Sequence, residues 1–212
     1  MKLETINVSK EFDNNIIIHS TSITFEMGKV YGFVGRNGSG KSVFLKMLAG
    51  FYSSTTGEIL YNGVNYFKNG DFLPSLGIMI EKPTFLSEIS GFRNLKILSE
   101  IKKIIGDEEI IETLKLVNLY EDRNKLYYKY SLGMKQKLAI AQVLMESPYI
   151  MIFDEPFNGI EDETADRLRK VIKELSKSKI IIVASHIKED IEMMVDELYE
   201  VKNGKIEKKN VI

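Results

Sequence analysis

The sequence predicts an α/β fold with a mostly parallel core sheet, an N-terminal antiparallel β subdomain and an inserted helical subdomain. Three observations carry this. The apolar runs Val30–Val34, Ile150–Phe153 and Ile180–Ala184 lack polar alternation, as strands covered on both faces do. Leu3–Val8 and Ser22–Met27 partly alternate, and Glu58–Tyr61 leads into the turn dipeptide Asn62-Gly63. These read as antiparallel strands flanking the first part of the core. From about Glu88 to Ser147 helical spacing takes over.

Taken in order, the first helix follows the strand Val30–Val34 and begins near Val43. In Asp107–Val117, Ile110, Ile111, Leu114 and Val117 recur at helical spacing behind an acidic start. Leu132–Glu146 reads as a helix with Ser131 as N-cap and Ser147-Pro148 as its stop. Glu161–Ser176 places Ala165, Leu168, Val171, Ile172 and Leu175 on one face, with acids first and bases last, as the helix dipole favours. One domain is expected over 1–212, with a core of 1–87 and 148–212 and a helical subdomain of 88–147. After Val201 only a Lys202-Asn203-Gly204-Lys205 turn and a strand are expected, with no further regulatory domain.

Composition narrows the partners. The 212 residues carry 29 basic and 30 acidic side chains, a net charge of −1. No broad basic field draws nucleic acid or anionic lipid. There are no cysteines, which excludes disulfides and thiolate metal sites and fits a reducing cytosol. The segment MKLETINVSK has no apolar leader. Apolar stretches such as Ile180–Ala184 are far shorter than the roughly 20 residues that span a bilayer. A soluble chain is expected, with any membrane role reached through a partner.

The chemistry begins at Gly35-Arg36-Asn37-Gly38-Ser39-Gly40-Lys41-Ser42. Polyphosphate needs backbone N–H groups aimed at it with no Cβ in the way, and Gly35, Gly38 and Gly40 allow that approach. The Lys41 ammonium reaches the β- and γ-phosphates, and the Ser42 hydroxyl suits Mg²⁺. A buried strand before the loop and a helix N-terminus after it complete a phosphate-binding loop. The fold is therefore expected to be a phosphate-loop NTPase.

A second motif, Ile150-Met151-Ile152-Phe153-Asp154-Glu155, is an apolar strand ending in two acids. Acids after strands are also ordinary turn residues. Beside a phosphate loop, Asp154 suits the outer shell of a nucleotide-bound Mg²⁺, and Glu155 suits the attacking water. A lone His after a strand is usually structural or solvated, but His186 leaves a third core strand on the edge where α/β sheets bind ligands, where an imidazole could contact a γ-phosphate. His19 has no such setting and reads as a surface residue.

These residues, with Tyr130-Ser131-Leu132-Gly133-Met134 and Lys135-Gln136-Lys137 at a helix start, resemble the ATP-binding-cassette (ABC) ATPases over nearly the whole chain. The Ser-Leu-Gly-Met segment is similar to the family signature, usually LSGGQ. The resemblance implies ATP and Mg²⁺ as cofactors. It implies that Gly35, Asn37, Gly38, Ser39, Gly40, Lys41, Ser42 and Val43 hold phosphates and metal, and that Phe12 stacks on adenine, although an aromatic there also packs cores. Glu81 falls where a Gln usually senses the metal and the water. Ser131 and Gly133 would meet the γ-phosphate held by a second copy, and Asn158-Gly159-Ile160-Glu161 would cross between copies. Lys41, Glu155 and His186 would be catalytic; Ser42, Glu81 and Asp154 would face the metal.

Several positions depart from the family pattern: Glu81 for Gln, Leu132 for the first signature Gly, Met134 for its Gln, Glu161 for Asp, and Val43 where Thr is common. Glu81 with Lys82-Pro83, and Ser-Leu-Gly-Met, look like the bacitracin and lantibiotic exporter branch. The resemblance thus implies an ATPase subunit, expected as a homodimer when ATP is bound. It would lie on the cytoplasmic face of the membrane through a permease in a separate chain. Two rival classes remain. One is a non-transport ABC ATPase acting on ribosomes or DNA, disfavoured by the single cassette, the absence of a long heptad segment and the balanced charge. The other is a soluble phosphotransferase, which leaves the signature helix unexplained.

Overall fold

A computed structural model describes residues 1–81, 84–187 and 189–210. Two sheets lie back to back. Strands β1 (Lys2–Phe12), β2 (Asn15–Glu26) and β4 (Thr56–Tyr61) form an antiparallel sheet in the order β2-β1-β4. The second sheet holds β3 (Lys29–Val34), β5 (Leu76–Met79), β6 (Ile150–Asp154), β7 (Ile180–Ser185), β8 (Glu197–Lys202) and β9 (Lys205–Lys209). Its order is β5-β6-β7-β3-β8-β9, parallel from β5 through β8 and closed by antiparallel β9. The α/β architecture with antiparallel N-terminal strands and a helical insertion is thus present.

The uninterrupted apolar runs have a direct cause. In β6, Ile150 and Ile152 join one core while Met151 and Phe153 join another, and β7 divides Ile180, Ile182 and Ala184 from Ile181 and Val183 in the same way. Successive side chains of a strand point to opposite faces, so a sheet with apolar cover on both sides admits no polar position. One face meets Leu138 and Ile140 of α4 (Leu132–Leu144) and Leu168 and Ile172 of α5 (Asp162–Ser176). The other meets Phe44, Leu45 and Leu48 of α1 (Lys41–Leu48) and Leu3, Ile18 and Phe25 of the antiparallel sheet. Phe33 lies at the centre of this second core, fully buried, stacked on Tyr199 at 5.2 Å and tilted against Phe44 at 5.3 Å. Phe33→Ala is expected to destabilise the fold by about 3–5 kcal/mol, read as a lower urea midpoint with an unchanged slope.

The helical region contains α2 (Gly91–Lys102), α3 (Asp107–Leu116) and α4. Ser131 caps α4 by accepting from Met134 N–H at 3.2 Å. The Glu109 carboxylate accepts the Gly106 N–H at 2.8 Å and starts α3. Helix α4 ends at Leu144, two residues before the expected limit, and α5 begins at Asp162, because Glu161 adopts the extended conformation of a cap. The β1–β2 hairpin is much longer than the expected Leu3–Val8 and Ser22–Met27. It turns on Asp13 and Asn14, both left-handed (φ 48 and 62), a turn whose twist matches the flanking strands. Asn62-Gly63 and Asn203-Gly204 turn with the same left-handed pair.

Candidate nucleotide site

The loop between β3 and α1 carries the expected glycines. Gly40 at the helix start has φ 111, and a Cβ there would come within 2.8 Å of Ile18 Cδ1 and 3.0 Å of the Ile17 carbonyl. Strain and crowding both require glycine at this position. Asn37, Gly38, Gly40, Lys41, Ser42 and Val43 line a cavity of about 250 Å³ together with Glu81, Asp154 and Glu155. A neighbouring hollow of about 540 Å³ takes Gly35, Asn37, Gly38, Ser39 and His186. The buried Ser39 Oγ has no hydrogen-bond partner, and its hydroxyl suits an oxyanion as acceptor.

Lys41 is buried and folds back on the loop. Its Nζ donates to the Gly35 carbonyl at 2.7 Å and the Arg36 carbonyl at 3.3 Å, and lies 3.9 Å from Glu155 Oε1. Burial pulls its pKa down; Glu155 and Asp154 push it up. Ser42 Oγ donates to Asp154 Oδ2 at 2.5 Å. Burial raises the Asp154 pKa against the opposing Ser42 hydrogen bond, and Glu155 and Glu81 add to the rise while Lys41 counters it.

Glu155 occupies a left-handed backbone conformation, φ 53, directly after β6. Such a backbone in a non-glycine residue persists only when its surroundings hold it. Its N–H donates to the Ala184 carbonyl at 2.8 Å. Glu155 Oε2 accepts Ser185 Oγ at 3.2 Å and sits 2.9 Å from His186 Nδ1, whereas Oε1 is buried with no hydrogen bond. One carboxylate oxygen is therefore held and the other has its acceptor capacity open.

Ser42 and Asp154 supply oxygen donors that converge within a hydrogen bond, and Glu81 lines the same cavity. These are the hard donors Mg²⁺ takes. Among the described residues no group of three or more His, Asp or Glu side chains gathers as an all-protein metal cage.

The remaining candidates lie further out. Glu81, also left-handed at φ 62, is ion-paired with Lys46 of α1. Phe12 stands edge-on to Tyr52 at 5.3 Å with the Lys10 ammonium 4.6 Å above its ring, and lies outside the residues that line the two loop cavities. Ser131 also lies outside both. It lines a separate cleft with Lys137 and Glu161, which form an ion pair at 2.9 Å. Gly133 packs against the chain after Glu155, since a Cβ there would fall 2.5 Å from the Gly159 carbonyl. Lys82-Pro83 lie outside the described residues. Sequence reasoning missed Ser185, Lys46 and Gln136 as neighbours of the acids. Only Ser185, directly before His186, carried a positional signal.

Comparisons with known proteins identify the family. A family model described as ABC transporter matches residues 18–158. The ABC transporter ATP-binding protein YybJ of Bacillus subtilis is 37% identical over 206 residues, covering 97% of this chain and 94% of that protein. The bacitracin transport ATP-binding protein BcrA of Bacillus licheniformis is 35% identical over 207 residues, covering 96% of this chain and 68% of its own length. The lantibiotic transport ATP-binding protein SrtF of Streptococcus pyogenes is 32% identical over 205 residues, covering 96% and 88%. A solved dimeric bacterial ABC transporter cassette shares the fold with a TM-score of 0.89 at 19% identity, covering 99% of each chain. With the phosphate loop, the Ser42–Asp154 contact and the His186–Glu155 pair in one site, the chain belongs to the ABC transporter family, as an ATP-binding domain.

Proposed function

We propose that this chain binds and hydrolyses ATP to power a separately encoded membrane permease, in the branch that exports antimicrobial peptides or drugs or gives immunity to them. The observation that supports hydrolysis is Glu155. One of its oxygens is fixed by Ser185 and His186, and the other is open as an acceptor beside Lys41. That arrangement suits a base that orients and deprotonates water.

In this reading Lys41 exchanges its Gly35 and Arg36 carbonyl partners for phosphate oxygens, so that its ammonium meets a charged acceptor in place of two neutral ones. The start of α1, at Lys41 and Ser42, would present its free backbone N–H groups and the positive end of its dipole to the phosphates. Ser42 and Asp154, with Glu81, would hold Mg²⁺, which neutralises phosphate charge and positions the phosphoryl group. His186 keeps Glu155 oriented and contacts the γ-phosphate. Phe12 would stack on adenine after the Lys10 ammonium moves off its ring.

Ser131 and Gly133 do not line the loop cavities of their own chain, which supports their use by a second copy, head to tail. The 88–147 segment would then move as a unit against the core when two copies close over ATP, and that movement would drive the permease. Among the described residues no helix is long and apolar enough to cross a membrane, in keeping with attachment through a partner on the cytoplasmic face. The names of the bacitracin and lantibiotic relatives support the branch. Extraction from native membranes in mild detergent, followed by mass spectrometry, is expected to bring a multi-span membrane protein with the chain. Recovery with ribosomal or DNA-repair proteins alone, and absence from membranes, would instead assign it to the non-transport class.

A further inference from the structure

We infer that Gln136 is a positioning residue for Glu155, so that the signature helix of a chain sets the geometry of that same chain's base; this rests on the reading of Glu155 as the base. Gln136 lies on the second turn of α4, half-buried. Its Nε2 donates to the Glu155 carbonyl at 2.6 Å and to the Pro156 carbonyl at 3.1 Å. The first carbonyl belongs to the peptide that leaves the left-handed Glu155, and the second to the peptide after it. A side-chain amide has two N–H donors on one nitrogen, so a single group can hold two successive carbonyls and fix the turn.

The backbone of Glu155 is held from two sides. The Ala184 carbonyl takes its N–H, and Gln136 takes its C=O. The Asn158 N–H also reaches the Glu155 carbonyl, but only at 3.5 Å; without Gln136 the left-handed conformation loses the shorter of the two contacts on that carbonyl, and the carboxylate leaves its place beside Ser185 and His186. The helix that supplies the amide is itself seated on the following residues. Gly133 abuts the Gly159 carbonyl, and Lys137 pairs with Glu161 at 2.9 Å. Residues 155–161 therefore ride on the first two turns of α4. A displacement of α4 at its Ser131 end is transmitted to residues 155–161 through these contacts, of which Gln136 is the one that touches Glu155 itself, with no contact to nucleotide needed.

The test compares Gln136→Glu, which keeps the shape and loses the donor, and Gln136→Met, which keeps the length and loses all polarity, with Glu155→Gln and the wild-type full chain. Turnover, KM for ATP and the urea midpoint are measured for each. The expected result is a fall in kcat of about 100-fold in both Gln136 variants, with KM and midpoint close to wild type and Glu155→Gln inactive. That split removes an interaction needed in the transition state and leaves ground-state binding intact. If one of the two variants does not fold, the other supplies the same comparison. A folded Gln136 variant with wild-type kcat beside an inactive Glu155→Gln overturns the positioning role alone. A kcat loss matched by a raised KM or a lowered midpoint also overturns it, since packing then explains the loss. Wild-type turnover by Glu155→Gln removes the base reading, and this inference with it.

Discussion

Glu155→Gln is expected to bind ATP as well as the wild type or better, to lose turnover by a factor of about 10²–10⁴, and to accumulate as an ATP-bound dimer. The amide has the size of the carboxylate, so the cavity wall keeps its shape. It cannot take a proton from water, and the oxygen that is open as an acceptor beside Lys41 no longer carries charge. Binding does not suffer, because the cavity wall of Glu81, Asp154 and Glu155 loses one negative charge of the three that face a polyanion. Dimer accumulation follows because hydrolysis is the step that reopens the pair. Calorimetry gives the affinity, phosphate release the turnover, and sedimentation with ATP the assembly. A variant that turns over at the normal rate would remove Glu155 from the mechanism.

Lys41→Ala is expected to weaken ATP binding by about 100-fold or more. A hydrogen bond to a charged group contributes roughly 1.5–3 kcal/mol, and 2.8 kcal/mol corresponds to about two decades in Kd. The loss has a second part. Lys41 is the side-chain cation placed beside Asp154 and Glu155, and without it both carboxylates lose that counter-charge where the phosphates bind. Lys41→Met separates charge from bulk, because it keeps a long apolar stem in the space the buried lysine fills. Calorimetry should show weakened binding in both variants. Undiminished affinity in either would count against the phosphate-loop assignment.

The core was legible in the sequence for a simple reason. In β3, β6 and β7 both faces are buried, so each strand reads as an unbroken apolar run. The phosphate loop was legible because its requirements are local: glycines, a lysine and a hydroxyl between a strand and a helix. Asp154, Glu155 and His186 stand at strand ends, and the parallel order of β6, β7 and β3 brings them to Lys41 and Ser42.

What escaped depends on partners distant in sequence. The hairpin beyond Val8 carries the polar stretch Ser9-Lys10-Glu11 and two register irregularities, which break the alternation that marks a strand. Helix α2 buries Asn94, whose amide accepts the Leu86 N–H and donates to the Leu86 and Ser90 carbonyls. A pattern reading counts such a residue as surface. Gln136 reaches a backbone carbonyl 19 residues away, and nothing in its neighbours signals that contact. The Lys46–Glu81 pair joins a helix to a loop 35 residues on; only the fold shows that the added charge at Glu81 has a counter-ion.

Phosphate release from ATP and Mg²⁺, measured with the purified chain over a wide range of protein concentration, tests the central claim most directly. If each site is completed by Ser131 and Gly133 of a second copy, the rate should rise with the square of concentration at the dilute end and become linear once dimers saturate. Release strictly proportional to concentration throughout, or no release at any concentration, would contradict the account.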